Sequence, residues 1–212
     1  MIEFFFDCSS PWTYLAFHNI RLMARDIDVP VRWRPILVGG VFNSVNPSVY
    51  AQREHPVPAK QAYMVKDLQD WAKLAGLTIR MPPSLFPINS VKAMRGCVWL
   101  LGQGDAARME RFASAVFEAY WGDDLDIADD AVLRAICRRC DIDAHALMNG
   151  TTAQAVKDQL KTNTDELVRR GGFGSPTMFV GNDMYFGNDR LALACAAAIE
   201  ARAHAKSQGA DR

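Results

Sequence analysis

The chain has 212 residues, half of them hydrophobic and 23% charged, a composition that excludes an intrinsically disordered protein and suits one full domain or one domain with a large insertion. Its 24 basic and 24 acidic side chains cancel, which argues against a general nucleic-acid or membrane-surface partner. No apolar run approaches the roughly 20 residues of a membrane helix, no cationic leader precedes Ile2, and the five cysteines are an odd, scattered set, so a cytoplasmic, reducing location is expected.

Ile2 to Phe6 is a short, almost continuous apolar run that suits a buried parallel strand. Asp7-Cys8-Ser9-Ser10-Pro11 follows as a turn, with Ser10 at a favoured N-cap position and Pro11 at the first helical residue. A helix is expected from Pro11 to about Ala24, its first-turn amides and positive dipole end facing the space beside Ser10. The preferred occupant of that space is an anion. Val29 to Trp33 is the next expected strand, which completes a β-α-β unit. Residues 36–58, with Gly39-Gly40, Asn46-Pro47, Pro56 and Pro58, are expected to form one long turn-rich connection.

Helical periodicity then takes over. Met64, Leu68, Trp71 and Ala75 share one face, as do Val91, Met94, Val98 and Leu101, and then Met109, Phe112, Val116 and Tyr120. Two more helices are expected within 126–140 and 152–170. Gly171 to Pro176 breaks the pattern. Thr177–Val180 and Met184–Phe186 form an expected hairpin, and Gly187-Asn188-Asp189 is expected to cap a final helix from Arg190 to about Ala205. The sum is an α/β chain of thioredoxin-like arrangement, βαβ followed by ββα, with a large all-helical insertion. Residues 1–36 and 171–212 would form the thioredoxin-like part, and 37–170 the inserted helices with their connecting loops.

Several segments, in order, carry a closer resemblance: Phe6-Asp7-x-x-Ser10-Pro11-Trp12-Thr13-Tyr14-Leu15-Ala16, Arg34-Pro35, Asn46, Val57-Pro58-Ala59-Lys60, Lys66-Asp67-Leu68, Asp70-Trp71-Ala72, Phe173 to Thr177 and Phe186 to Leu191. Together they resemble the 2-hydroxychromene-2-carboxylate isomerases and kappa-class glutathione transferases, relatives of the periplasmic disulfide oxidoreductases. The resemblance implies a glutathione-dependent isomerase of aromatic catabolism, a homodimer, interconverting 2-hydroxychromene-2-carboxylate and trans-o-hydroxybenzylidenepyruvate. A kappa-like transferase that retains the conjugate, or a non-catalytic thiol-binding protein on the same fold, are the other readings.

The residue assignments follow from both sources. Where the oxidoreductases carry Cys-x-x-Cys, this chain has Ser10-Pro11-Trp12-Thr13, which cannot form a disulfide. By spacing alone Ser10 is equally an N-cap or a donor to an incoming thiolate; the resemblance favours the donor. Ser175-Pro176 resembles the cis-proline site, although cis occurs at only about one X-Pro bond in twenty. Pro11, Ser175, Pro176, Asn188 and Asp189 are thereby implied as glutathione contacts, though Asp189 would serve equally as a plain N-cap. Asn46 and Lys60, ordinary polar residues on spacing alone, are implied to polarise an anionic substrate alongside Ser10. Many relatives carry lysine where this chain has Asn43, so the carboxylate contacts are expected to differ. Trp12, Phe42 and Phe86 are candidate walls for an aromatic substrate.

The cysteines are assigned no chemistry. Cys8 sits outside the first-turn amides and reads as a small buried hydrophobe. Cys137-Arg138-Arg139-Cys140 places both thiols on the apolar stripe near a helix C-terminus, where the dipole opposes a thiolate. No metal site is expected, since no second pair or histidine stands at ligand spacing.

Overall fold

A computed structural model describes residues 1–210, with side chains through His204. Its elements run β1 (Ile2–Phe6), α1 (Pro11–Asp26), β2 (Val31–Pro35), α2 (Val38–Val45), α3 (Ser48–Glu54), α4 (Pro58–Ala75), α5 (Val91–Gly102), α6 (Ala106–Phe117), a π-helical turn (Glu118–Gly122), α7 (Asp130–Arg139), α8 (Ala144–Gly150), α9 (Gln154–Arg169), β3 (Thr177–Val180), β4 (Asp183–Phe186) and α10 (Leu191–Ala210). The strands form one mixed sheet of order β2-β1-β3-β4, with β1 parallel to β2 and antiparallel to β3, and β3 antiparallel to β4. This is the expected thioredoxin-like arrangement.

Alternation along β1 divides its phenylalanines between the two faces of the sheet. Phe4 and Phe6 join the main core with Phe17 of α1 and Trp33 of β2, whose rings lie 4.7 to 6.3 Å apart. Phe5 belongs to a smaller cluster on the other face, with Ile36, Val41, Leu167 and Phe179, where α2 and α9 cover the sheet. Glu3, between them, holds Arg34 at 3.2 Å and Arg170 at 2.7 Å. The main core continues through Met94, Phe112, Val116, Tyr120 and Trp121, so the central helices bury their apolar faces against the same interior as α1.

Three expectations are corrected. Residues 36–58 hold two short helices, α2 and α3, because their breakers sit at helix ends: Pro47 is the N-cap residue of α3 and Pro58 opens α4. Gly39 and Gly40 lie inside α2, where a Cβ on Gly40 would make an ordinary contact with Thr164 of α9 at 3.4 Å. The helix α8, not anticipated, starts where Asp143 accepts from the amides of His145 and Ala146. Asp189 does not cap α10. A 3-10 turn, Asn188–Arg190, leads into that helix, Gly187 stands at its cap position without a side-chain bond, and Asp189 pairs with Arg190 at 2.5 Å instead. The helix itself runs to Ala210, beyond the expected end.

Candidate functional site

The turn between β1 and α1 is pinned from three sides. The buried Asp7 carboxylate accepts from the Ser9 amide at 2.9 Å and from the Val38 amide, the first of α2, at 2.8 Å. Burial pushes Asp7 above the ordinary carboxylate range, opposed by these bonds and one from Ser90. The Cys8 amide points to Met94 Sδ at 3.4 Å, and its carbonyl accepts from Trp121 Nε1 at 2.9 Å. Asp7 therefore ties the turn to α2, while Cys8 ties it to the central helices.

Ser10, next along, caps α1 in extended backbone with φ −112° and ψ 124°. Its Oγ accepts from the Thr13 amide and donates to the Ser175 carbonyl, both at 3.2 Å. Ser175 precedes a cis proline, as expected. Its own hydroxyl accepts from the Asp7 amide at 3.1 Å and lies 2.8 Å from Thr13 Oγ1. Thus Ser10, Thr13 and Ser175, from opposite ends of the chain, form one polar knot at the start of α1. Two of its backbone donors stay free. Pro11 has no N–H, Thr13 is taken by Ser10, and Tyr14 bonds the Ser10 carbonyl, which leaves the Trp12 amide as the first-turn donor without an acceptor among the described residues. The Ser175 amide likewise has none there.

Around the knot the structure gathers most of the expected residues. Asn46, the C-cap residue of α2, donates from Nδ2 to the Phe173 carbonyl at 3.2 Å and accepts from Ser48 at 2.8 Å. Phe173 and Phe186 pair at 4.5 Å between centroids. A Cβ on Gly174 would meet Phe186 at 2.9 Å and Phe42 at 3.9 Å, so these rings crowd the residue just before Ser175. Asn188 is buried, accepts from Asn19 of α1 at 3.1 Å, and keeps its Nδ2 without a partner. It adjoins the knot because the Gly187 amide bonds the Pro176 carbonyl at 3.1 Å. Trp12 packs on the main core one turn-position past Pro11.

Two expected residues stand apart. Lys60 is exposed at the start of α4 and makes no hydrogen bond or ion pair among the described residues. Phe86 is 42% exposed and reaches this neighbourhood through Arg53, whose guanidinium lies 5.1 Å from its centroid and 5.7 Å from that of Phe42. Asp7, Thr13, Tyr50 and Arg53 were not singled out from the sequence. Asp7 and Thr13 had a signal, since both stand in the Phe6 to Ala16 motif and Thr13 ends the tetrapeptide that replaces Cys-x-x-Cys, whereas Tyr50 and Arg53 had none.

Cys8, Cys137 and Cys140 are packed into the core, as expected. All five are free and buried. Burial lifts Cys8 far above the ordinary thiol range and pushes Cys137 up to about 11, with Cys140 raised as well. The start of α1 and the cis-proline loop thus present one free amide each, with the enclosed Nδ2 of Asn188 nearby and no exposed thiol.

The chain is similar to known proteins over most of its length. The chain is 28% identical over 194 residues to the 2-hydroxychromene-2-carboxylate isomerase of Pseudomonas putida, covering 90% of each chain. It is 26% identical over 202 residues to glutathione S-transferase kappa 2 of Caenorhabditis elegans, covering 90% of this chain and 88% of the relative. A solved structure of 2-hydroxychromene-2-carboxylate isomerase superposes with a TM-score of 0.77 at 26% identity, over 99% of this chain and 98% of that one. The resemblance carried by the sequence motifs thus reappears among full-length relatives and in the fold. The family model for DSBA-like thioredoxin domains matches residues 1–197, and the chain belongs to that family.

Proposed function

We propose that the protein is a glutathione-dependent isomerase interconverting 2-hydroxychromene-2-carboxylate and trans-o-hydroxybenzylidenepyruvate, or a closely related aromatic intermediate. The observation that carries the reading is the Ser10 hydroxyl at the α1 N-terminus, bonded across to the Ser175 carbonyl, in a turn whose own Cys8 thiol is buried and pushed well above its ordinary range. Relatives named for this isomerisation support it.

Glutathione, when bound, supplies a thiolate nucleophile that adds to the conjugated double bond and leaves again unchanged. The chain's residues do the rest. The dipole of α1 and the free Trp12 amide favour the charged sulfur. Ser10 has a single proton, given to the Ser175 carbonyl at the long distance of 3.2 Å. Turning that proton to the sulfur keeps the capping bond from Thr13 and replaces a neutral hydrogen bond by a charge-assisted one. Ser175 presents its free amide to the peptide backbone of the ligand, and Asn188, whose Nδ2 is enclosed where it stands, must turn outward to offer a donor to a glutathione carboxylate. Asn46, held by Phe173 and Ser48, borders the same loop. Its amide and the cation of Lys60 are assigned to the anionic substrate, and Lys60 must swing inward to serve, since it makes no contact where it stands.

We further assign the protein to the cytoplasm as a homodimer. Five buried free cysteines suit a reducing compartment, and no helix among the described residues is long and apolar enough to cross a membrane.

The deciding experiment follows formation of hydroxybenzylidenepyruvate by absorbance, with and without glutathione. Isomerisation that depends on glutathione and leaves it unconsumed supports the reading. Absence of isomerisation at any glutathione concentration overturns it, and accumulation of a conjugate points to the transferase activity for which the kappa-class relatives are named.

A further inference from the structure

The chain holds one arginine in an unusual setting. Arg53 lies in the last turn of the exposed helix α3. Its guanidinium carbon sits 5.7 Å from the Phe42 centroid, 6.0 Å from Tyr50 and 5.1 Å from Phe86. Three rings from α2, α3 and the loop before α5 therefore surround a single cation. The other arginines that lie over aromatic rings, Arg21, Arg34 and Arg170, are paired with carboxylates, Arg21 with Glu110 and both Arg34 and Arg170 with Glu3. Arg53 makes no hydrogen bond or ion pair among the described residues.

We propose that Arg53, with Phe42, Tyr50 and Phe86, forms a binding subsite for the carboxylate of a flat conjugated acid. Aromatic faces attract the guanidinium without using its N–H groups, so all five donors along its edges remain for an anion. A carboxylate has two oxygens in one plane that match that fork, and on a conjugated acid it is coplanar with a flat body that the rings can cover. The rings themselves remain partly open, Tyr50 at 37% and Phe86 at 42% exposure, and supply surface for a planar body attached to the carboxylate.

The geometry is held in place and lies near the sulfur site. Tyr50 Oη donates to Asn43 Oδ1 at 2.7 Å, which fixes the ring against α2. Asn43 thus fills a positioning role for the Tyr50 ring. Phe42 links the subsite to the knot, since it stands 3.9 Å from where a Cβ on Gly174 would lie, one residue before Ser175. A conjugated acid with its carboxylate on Arg53 would extend along Phe42 toward the start of α1. The identity of the acid as a chromene carboxylate or benzylidenepyruvate rests on the function proposed above; the carboxylate preference does not.

The test compares binding of trans-2-hydroxycinnamate and its uncharged amide, by tryptophan fluorescence, to the native protein, Arg53→Gln and Arg53→Lys. The native protein should prefer the acid by about tenfold or more, Arg53→Gln should lose that preference, and Arg53→Lys should retain part of it. In the isomerase assay Arg53→Gln should raise KM by about tenfold with kcat within twofold, the mark of lost ground-state binding. Equal binding of acid and amide by the native protein, or an undiminished preference in Arg53→Gln, overturns the subsite. A native protein that shows an Arg53-dependent acid preference yet catalyses no isomerisation removes the isomerase reading and leaves the subsite standing.

Discussion

Ser10 Oγ and the carbonyl oxygen of Ser175 lie 3.2 Å apart, although 165 residues separate them in the chain. That bond joins the cap of α1 to the residue before the cis proline, so the helix terminus and the cis-proline loop form one surface. Replacing Ser10 by alanine removes both the cap and the donor. Loss of the cap should lower stability by about 1 kcal/mol, and loss of the donor should reduce kcat by about a hundredfold. Steady-state kinetics beside denaturant unfolding separates the two effects; a Ser10→Ala protein with native kcat would contradict the role assigned to Ser10.

Asp7 predicts a pH dependence. Burial raises its pKa in the folded state, so the fold holds this proton more tightly than the unfolded chain does. The cost of the charged form is absent below the unfolded pKa of about 4 and grows as pH rises through the folded value. Asp7→Asn cannot titrate. The stability of the native protein relative to Asp7→Asn should therefore increase as pH falls from about 7 toward 4, measured by urea unfolding. A difference that stays constant or shrinks on acidification would argue against a raised Asp7.

Cys8 should matter to the core and not to the chemistry. It is fully buried, with its thiol raised by desolvation. Cys8→Ala should cost about 1 to 2 kcal/mol of stability and leave kcat within twofold. Under native conditions a thiol reagent should leave all five cysteines largely unmodified. Rapid modification of Cys8 coupled to inactivation would mean that the nucleophile belongs to the chain.

Asn188 carries the unpartnered donor. Removing its carboxamide with Asn188→Ala should weaken glutathione binding by about tenfold, as measured by calorimetry. Asn19→Ala, which breaks the bond to Asn188 Oδ1 but spares Nδ2, should weaken it less. Equal affinities in all three proteins would remove Asn188 from the ligand site.

Much of this fold was legible because its strands and long helices follow simple periods. The β1 run, β3 and the stripe Met109, Phe112, Val116 and Tyr120 all bury as their spacing requires, and β4 pairs with β3 in the expected hairpin while its Met184 and Phe186 stay exposed. The stripe of α4 followed its pattern less closely: Leu68 and Ala72 are buried while Met64 stays partly exposed, since only part of that helix meets the core. Residues 38–54 escaped because glycines and prolines, read as loop formers, sit at helix boundaries or inside α2. At the site, Ser10 and Ser175-Pro176 were legible from motifs. Arg53 was not, because its setting is made by three rings from separate elements, and no local spacing encodes that convergence. The role of Asp7 was hidden for the same reason: its partner, the Val38 amide, is created only by the β-α-β crossover.

The central claim is that the start of α1, with Ser10, stabilises an external thiolate. Its most direct measurement is the pKa of bound glutathione, read from thiolate absorbance across a pH series with native protein and with Ser10→Ala. The account predicts a bound thiol titrating at least one unit below the ordinary value of about 8.5, moving back toward that value in Ser10→Ala. A bound thiol that titrates at its ordinary pKa in the native protein would contradict it.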